Sequence, residues 1–360
     1  MSIRNSIRST AAAAVVLGTF SAASPALAAD GFEQQFADLI KAAQAEGELT
    51  WYHASLEAAG RDFAKIFETK FGVKVNYAFL VGSPGLERFK SESLSSNNIA
   101  DVFNTTDGTL MRQAMTDGLI ADYKVADHDA FPDGWVLGQN GAEAYPTART
   151  QMAIAYNTEL VSPEEAEKLK TWKGLLDPAF ADGRLSIGDA TRLGSIYSTW
   201  LYLLRENPSE YGIDYLNALA AQKPIIYDGQ TEQANRIASG ETDAGATVDV
   251  VAVQQYNKGA PIAFLYPDPS PVTLQFTAVS ANAPHPNAAR LFLEYITSLE
   301  GMAEWGKLWG AATGRPDADA TIDYPFSKEP WYAAATSTYA IQDWDMAARE
   351  HENVLKEWAS

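Results

Sequence analysis

The chain reads as an α/β protein with two lobes built on mostly parallel sheets, joined by crossover strands around a cleft. Three observations predict this. Short strands and amphipathic helices alternate in two successive series, which is the pattern of parallel sheets covered by helices. The 360 residues exceed the usual span of a single core. A proline-rich joint, Pro267, Pro269 and Pro271, then opens a strand after the second series and carries the chain back across, so the lobes can close on a ligand by hinge bending.

In the first series, Phe32, Phe36, Leu39, Ile40 and Ala43 form a helical face that stops at Gly47. "ELTWYH" follows as a strand, then a helix on Phe63, Ile66 and Phe67 ending near Gly72. "VKVNYAF" is the next strand, Leu86 to Leu94 a polar helix, "ADVFNTT" a strand, and Leu110, Met111, Ala114 and Met115 a further helix. Residues 124–147 lack a clear period and read as irregular before "TQMAIAYN" resumes as a strand.

The second series starts after Gly174: "RLSIG" strand, a helix from Arg192, "KPIIYD" strand, a helix near Thr231 to Ser239, "AGATV" strand, a helix from Asp249, and "PIAFLY" strand. "PDPSPVTLQFTAVS" is the returning strand and "HPNAARLFLEYITSLEGMAEWGKLWG" a helical pair; the aromatic-rich tail from Pro330 to Trp358 is expected to be helical.

Arg4 and Arg8, the apolar run Ala11 to Phe20 and Ala26-Leu27-Ala28 have the layout of a secretory signal peptide, with an apolar run too short to span a bilayer. Cleavage after Ala28 is expected, and no cysteine follows to carry a lipid anchor. Zero cysteines exclude disulfides and thiolate metal sites. A net charge of −19 disfavours nucleic acid and anionic membranes as partners.

Against that charge, "GDATRLGSIYSTW" stands out. A strand and a small-residue turn run into a helix whose apolar residues Ile196, Trp200, Leu203 and Leu204 share one face. Free N–H groups at a helix start beside Arg192 suit an anion. The bland alternative is an ordinary cap with a solvated arginine.

Taken in order, "AQAEGELTWYHAS", "FETKFGVKVNY", "ERFKSES", "NIADVFNTTDGTLMRQAMTDGLIADY", "AIAYNTELV", "TWKGLLDPAFADGRLSIGD" and "PNAARLFLEYITSLEGM" resemble periplasmic solute-binding proteins of ABC importers. The resemblance is to the cluster that includes bacterial ferric-ion-binding periplasmic proteins, and it covers nearly the whole chain beyond the signal peptide. It implies two Rossmann-like lobes of the type II periplasmic-binding-protein kind, an interlobe ligand cleft, and delivery to a cognate ABC permease in the inner membrane, with no catalysis. The expected layout is a signal peptide over 1–28, lobe 1 over 29–147 plus 273–312, and lobe 2 over 148–272 plus 313–360. A periplasmic monomer without cofactor or resident metal is expected.

Ligands of open α/β sheets meet the turns at the carboxyl ends of strands. The candidates are therefore His53 and Ser55, then Thr105, Thr106 and Asp107, in lobe 1. In lobe 2 they are Thr191, Arg192, Gly194, Ser195 and Asp249. Arg192 offers a planar fork for carboxylate, phosphonate or phosphate, and the hydroxyls add donors. Asp107 and Asp249 would accept from an ammonium or hydroxyl group, so a small organic anion or zwitterion satisfies both signs. Each aspartate also reads as a helix cap, and His53 as a satisfied polar residue at a strand end. Trp51 and Tyr52 alternate along a strand, so one of them is expected in the core.

The resemblance further implies, for ferric-binding members, a pair of adjacent tyrosines on the helix after "AGATV". Here Gln254-Gln255 stand there, and amides are poor ligands for a hard trivalent cation. Tyr256 is single. A periplasmic hydrolase is the rival class, but neither G-x-S-x-G nor H-E-x-x-H occurs.

Overall fold

The computed structural model describes residues 31–189, 195–334, 338–340, 349, 350, 352, 353 and 356. The chain divides into a short N-terminal unit, of which 31–35 are helical, and a unit from Phe36 to Ser360 that holds every described strand. The signal peptide and the turn Thr191–Gly194 lie outside the described residues.

The strands are β1 (Glu48–His53), β2 (Lys74–Phe79), β3 (Val102–Thr105), β4 (Leu137–Gln139), β5 (Ala142–Asn157), β6 (Leu185–Gly188), β7 (Ile225–Tyr227), β8 (Ala244–Val248), β9 (Ile262–Leu265), β10 (Ser270–Val279) and β11 (Thr338–Ala340). They join in the order β2-β1-β3-β10-β5-β8-β6-β7, with β11 on β10 and both β4 and β9 on β5.

Two halves of one plan emerge. In lobe 1, β2, β1 and β3 run parallel and β3 meets β10 antiparallel. In lobe 2, β7, β6 and β8 run parallel and β8 meets β5 antiparallel. The two antiparallel strands are the crossovers. β5 begins against β4, passes along β10 and ends against β8 and β9. Between the lobes they form a ribbon in which Ala148, Arg149 and Thr150 face Gln275, Leu274 and Thr273.

From Trp51 to His53, β1 is buried on both faces. Trp51 packs against Phe63, Phe292 and Trp305, on helices Glu57–Phe71, Pro286–Thr297 and Leu299–Trp309. Tyr52 points the other way, into a core with Leu86, Phe89, Phe103 and Met111. Both aromatics are therefore core residues, not one. The helix Ala37–Glu46 stops where the pattern ends: Gly47 adopts φ +81° and its N–H closes on the Ala43 carbonyl, a left-handed cap that favours glycine.

The structure departs from the sequence reading in two places. Part of the irregular stretch is strand, since β5 starts at Ala142. Pro146 and a bulge mask it: the register moves from Phe276–Pro146 to Gln275–Ala148, leaving Thr147 as the extra residue. The tail also contributes β11, parallel to β10, where helix was expected. No helix of the described residues is long and apolar enough to cross a membrane.

Candidate interlobe ligand site

The carboxyl ends of both parallel sheets point at the ribbon. Thr105 closes β3 opposite Phe276, whereas Val248 closes β8 opposite Met152, one residue beyond the Gln151–Val272 pair. Phe276 lies four residue steps along β10 from Val272, a strand length of about 13 Å. The turns following β1 and β3 and the turn following β8 thus lie at strand ends directed at the same ribbon from its two sides.

In lobe 1, the turn after β1 carries Ser55, largely buried. No side chain caps the helix Glu57–Phe71 that follows, whose N-cap is Leu56. Its first N–H groups are thus unclaimed by any side-chain cap. After β3, the Thr105 hydroxyl accepts from the Asp107 N–H at 3.2 Å, and Asp107 Oδ1 accepts from the Thr109 N–H at 2.8 Å. Asp107 is the N-cap of helix Gly108–Thr116, so the cap reading holds for one of its oxygens. Thr106 sits between them, half-buried.

His53 does not join this set. Its ring is fully buried against Trp51, Tyr77 and Trp305, and Nδ1 shares a 2.9 Å hydrogen bond with the Tyr77 hydroxyl. Strand alternation places it on the Trp51 side, inside the aromatic core. Burial pushes its pKa down to about 3. The expectation that His53 contacts ligand is corrected: it is a core residue at a strand end, with Nδ1 satisfied by Tyr77 and Nε2 buried without a hydrogen-bond partner among the described residues.

In lobe 2, Asp249 opens the helix Asp249–Asn257 and is 1% exposed. Both oxygens are committed. Oδ1 accepts the N–H of Gln151 at 3.1 Å and that of Val250 at 2.7 Å, and Oδ2 accepts the Tyr266 hydroxyl at 3.1 Å. Burial raises its pKa to about 6 against the pull of those bonds and of Arg149. Asp249 is thus an internal brace, and the ligand-acceptor expectation is corrected accordingly. Thr191, Arg192 and Gly194 lie outside the described residues, between β6 and a helix that begins at Ser195; the Ser195 side chain also lies outside them.

Two residues that the sequence reading passed over occupy the same region. Asn104, on β3, accepts the Ala54 N–H and donates to Phe276 O and to Thr277 Oγ1. Arg149, on the ribbon, pairs with Asp319 at 3.3 Å and lies 6.0 Å from the Trp135 ring centre. Its charge acts on Asp249, Tyr266, Tyr324 and Tyr332. Arg149 lies between the stretch that reads as irregular, 124–147, and the strand that resumes at Thr150, so no pattern marked it.

For iron, the first turn after β8 carries Asp249, Val250 and Val251, with both valines buried. Gln254-Gln255 lie a turn further along, Gln255 buried, and the Tyr256 hydroxyl is taken by Glu329 at 2.5 Å. This helix thus presents no tyrosine pair.

The match to known proteins is broad. No curated protein matches the chain. Among solved structures, iron-bound HitA from Pseudomonas aeruginosa superposes with a TM-score of 0.68 at 18% identity, over 85% of this chain and 99% of that one. AfuA from Actinobacillus pleuropneumoniae, with exogenous fructose-6-phosphate bound, gives 0.64 at 20% identity, over 87% and 98%. PotD, a spermidine/putrescine ABC transporter substrate-binding protein from Streptococcus pneumoniae, gives 0.65 at 13% identity, over 87% and 98%. One two-lobed fold therefore carries quite different cargoes, and the fold alone is what these likenesses share with the chain. The model describing bacterial extracellular solute-binding proteins matches residues 49–307, from β1 through the second helix of the pair, and by that match the chain belongs to the bacterial extracellular solute-binding protein family.

Proposed function

We propose that this solute-binding protein captures a small organic anion or zwitterion, such as a carboxylate, phosphonate or phosphate ester, between its lobes and hands it to an ABC permease. The observation that carries the reading is the turn after β1, where a helix start without a side-chain cap stands behind Ser55. N–H groups so placed favour negative charge. Thr105, Thr106 and Asp107 would complete the lobe 1 side. Thr191, Arg192, Gly194 and Ser195 would supply the lobe 2 side, with Arg192 as the main anion anchor. Lobe 1 is taken as 29–147 plus 273–312 and lobe 2 as 148–272 plus 313–360, the first 28 residues being cleaved on export. The protein would work in the periplasm as a monomer, without catalysis, cofactor or nucleic acid.

A second reading, ferric ion, draws support from the iron-bound neighbour of the same fold. The valines of the first turn after β8 oppose it, since they offer no oxygen donor. Incubation with ferric citrate should leave the protein colourless; a red or purple product would favour iron.

The direct experiment is native mass spectrometry of the mature protein, with identification of any released molecule. Titration calorimetry with that molecule should show Arg192→Ala weakening binding by about 2–5 kcal/mol, with Arg192→Lys recovering only part because the bidentate fork is lost. Equal affinity in all three proteins would return Arg192 to a solvated surface charge.

A further inference from the structure

Lobe 2 carries a cavity away from the turns that face the ribbon. Tyr156, Val161 and Leu265, all buried, form its floor. Tyr156 lies five residue steps along β5 from Gln151, about 17 Å of strand. It pairs with Ala244, the first residue of β8, and with Ala263 on β9. The cavity therefore sits by the amino end of β8, whereas ligands of open α/β sheets meet the carboxyl ends.

Both walls are set by local sequence. On one side Ser162 and Glu165 form a reciprocal capping box, and Pro163 opens the helix Pro163–Lys168. That helix brings Glu167 to the cavity, and Lys170 follows just beyond its end. On the other side the Tyr332 N–H closes on the Glu329 carbonyl at 3.0 Å. Trp331 and Tyr332 there line the cavity, both half-buried. Their rings are already packed, with Trp331 5.2 Å from Phe264 and Tyr332 5.2 Å from Phe326 between ring centres.

The space is about 420 Å³, within the range of small-ligand pockets, about 300–1,000 Å³. Its charged groups gather at the rim. Lys170 Nζ donates to Glu167 Oε1 at 2.6 Å and to Oε2 at 2.7 Å. The two side chains are 49% and 69% exposed, and a pair so placed is worth at most about 1 kcal/mol, so a ligand can part it. Burial, and then the charge of Glu167, hold the Tyr156 hydroxyl above the ordinary phenol range, which marks the carboxylate as a neighbour of the floor.

We propose that this cavity is a second binding site, for a free amino acid with an aromatic side chain. The ring stacks on Trp331 and Tyr332 over the apolar floor, the ammonium pairs with Glu167, and the carboxylate pairs with Lys170. Adjacent opposite charges at the rim match those of the zwitterion, and the interior matches the ring. A plain apolar molecule or a single ion would use only one of these parts. The site stands apart from the interlobe capture reading and does not depend on it.

Saturation-transfer NMR and titration calorimetry of the mature protein with L-phenylalanine test this. Phenethylamine and 3-phenylpropionate, each lacking one charge, should bind about threefold more weakly. L-alanine, lacking the ring, should bind at least about tenfold more weakly, and Trp331→Ala should weaken L-phenylalanine by a similar factor. Glu167→Gln and Lys170→Gln should each weaken it about threefold without moving the melting temperature. Arg192→Ala, in the proposed interlobe set, should leave it unchanged.

Absence of L-phenylalanine binding, or equal binding of all the probes, would overturn the proposal. So would binding lost in Arg192→Ala yet kept in Glu167→Gln and Lys170→Gln, which would make the amino acid an interlobe cargo and favour the capture reading. Should Trp331→Ala not fold, the two exposed rim variants decide. Failure of the second site and failure of the interlobe reading are thus told apart.

Discussion

At the residue scale, burial decides the chemistry of two of the ionisable groups that the sequence pointed at, His53 and Asp249. Folded His53 stays neutral where the unfolded chain would take up a proton, because burial holds its pKa near 3 against an ordinary 6.5. Its contribution to stability is complete above pH 6.5 and is lost as the pH falls towards 3, at about 1.4 kcal/mol per pH unit. Asp249 works with the opposite sign. Its raised pKa of about 6 means a contribution that is full below the ordinary carboxylate value and lost as the pH rises through 6. Urea unfolding at pH 7 and pH 5 should therefore show the wild type losing about 2 kcal/mol more than His53→Gln on acidification, since the Asp249 contribution cancels in the difference. Equal losses would mean that His53 is protonated in the fold.

At the element scale, the crossovers are held by close backbone contact as well as by side chains. The segment after helix Leu299–Trp309 crosses β5, where Arg149 N–H donates to Ala312 O and Thr313 bridges Ala148. Gly314 permits this approach: a Cβ there would lie 1.7 Å from the Pro146 carbonyl oxygen, a backbone atom that cannot turn aside. Gly314→Ala should cost about 3 kcal/mol of stability in urea unfolding; a loss under about 0.5 kcal/mol would show that the segment yields freely. The sequence reading missed this region for the same reason. Strand β5 contains a proline and a bulge, and "AEAYPTAR" meets β4, β10 and the segment at Ala312 and Thr313, so no period of two survives in it.

At the scale of the whole molecule, two similar sheets joined by a two-stranded ribbon are the layout that the proposed closure around a ligand calls for. Small-angle scattering of the mature protein should report a monomer whose radius of gyration falls when the identified ligand is added. An unchanged profile at saturation would count against closure.

The sequence by itself determined the alternation of strands and helices, the strand-end turns and the membership in a solute-binding family. These are local or cumulative signals: periodicity, caps such as Gly47, and the order of many weak fragments. It also offered the cap as one of two readings of Asp107, legible because that geometry spans only a few residues. Only the tertiary structure decided that His53 belongs to an aromatic core and that both Asp249 oxygens are taken by Gln151, Val250 and Tyr266. Their partners Trp305, Gln151 and Tyr266 lie far along the chain, and whether a polar side chain faces a ligand or a neighbouring strand depends on which distant backbone arrives beside it.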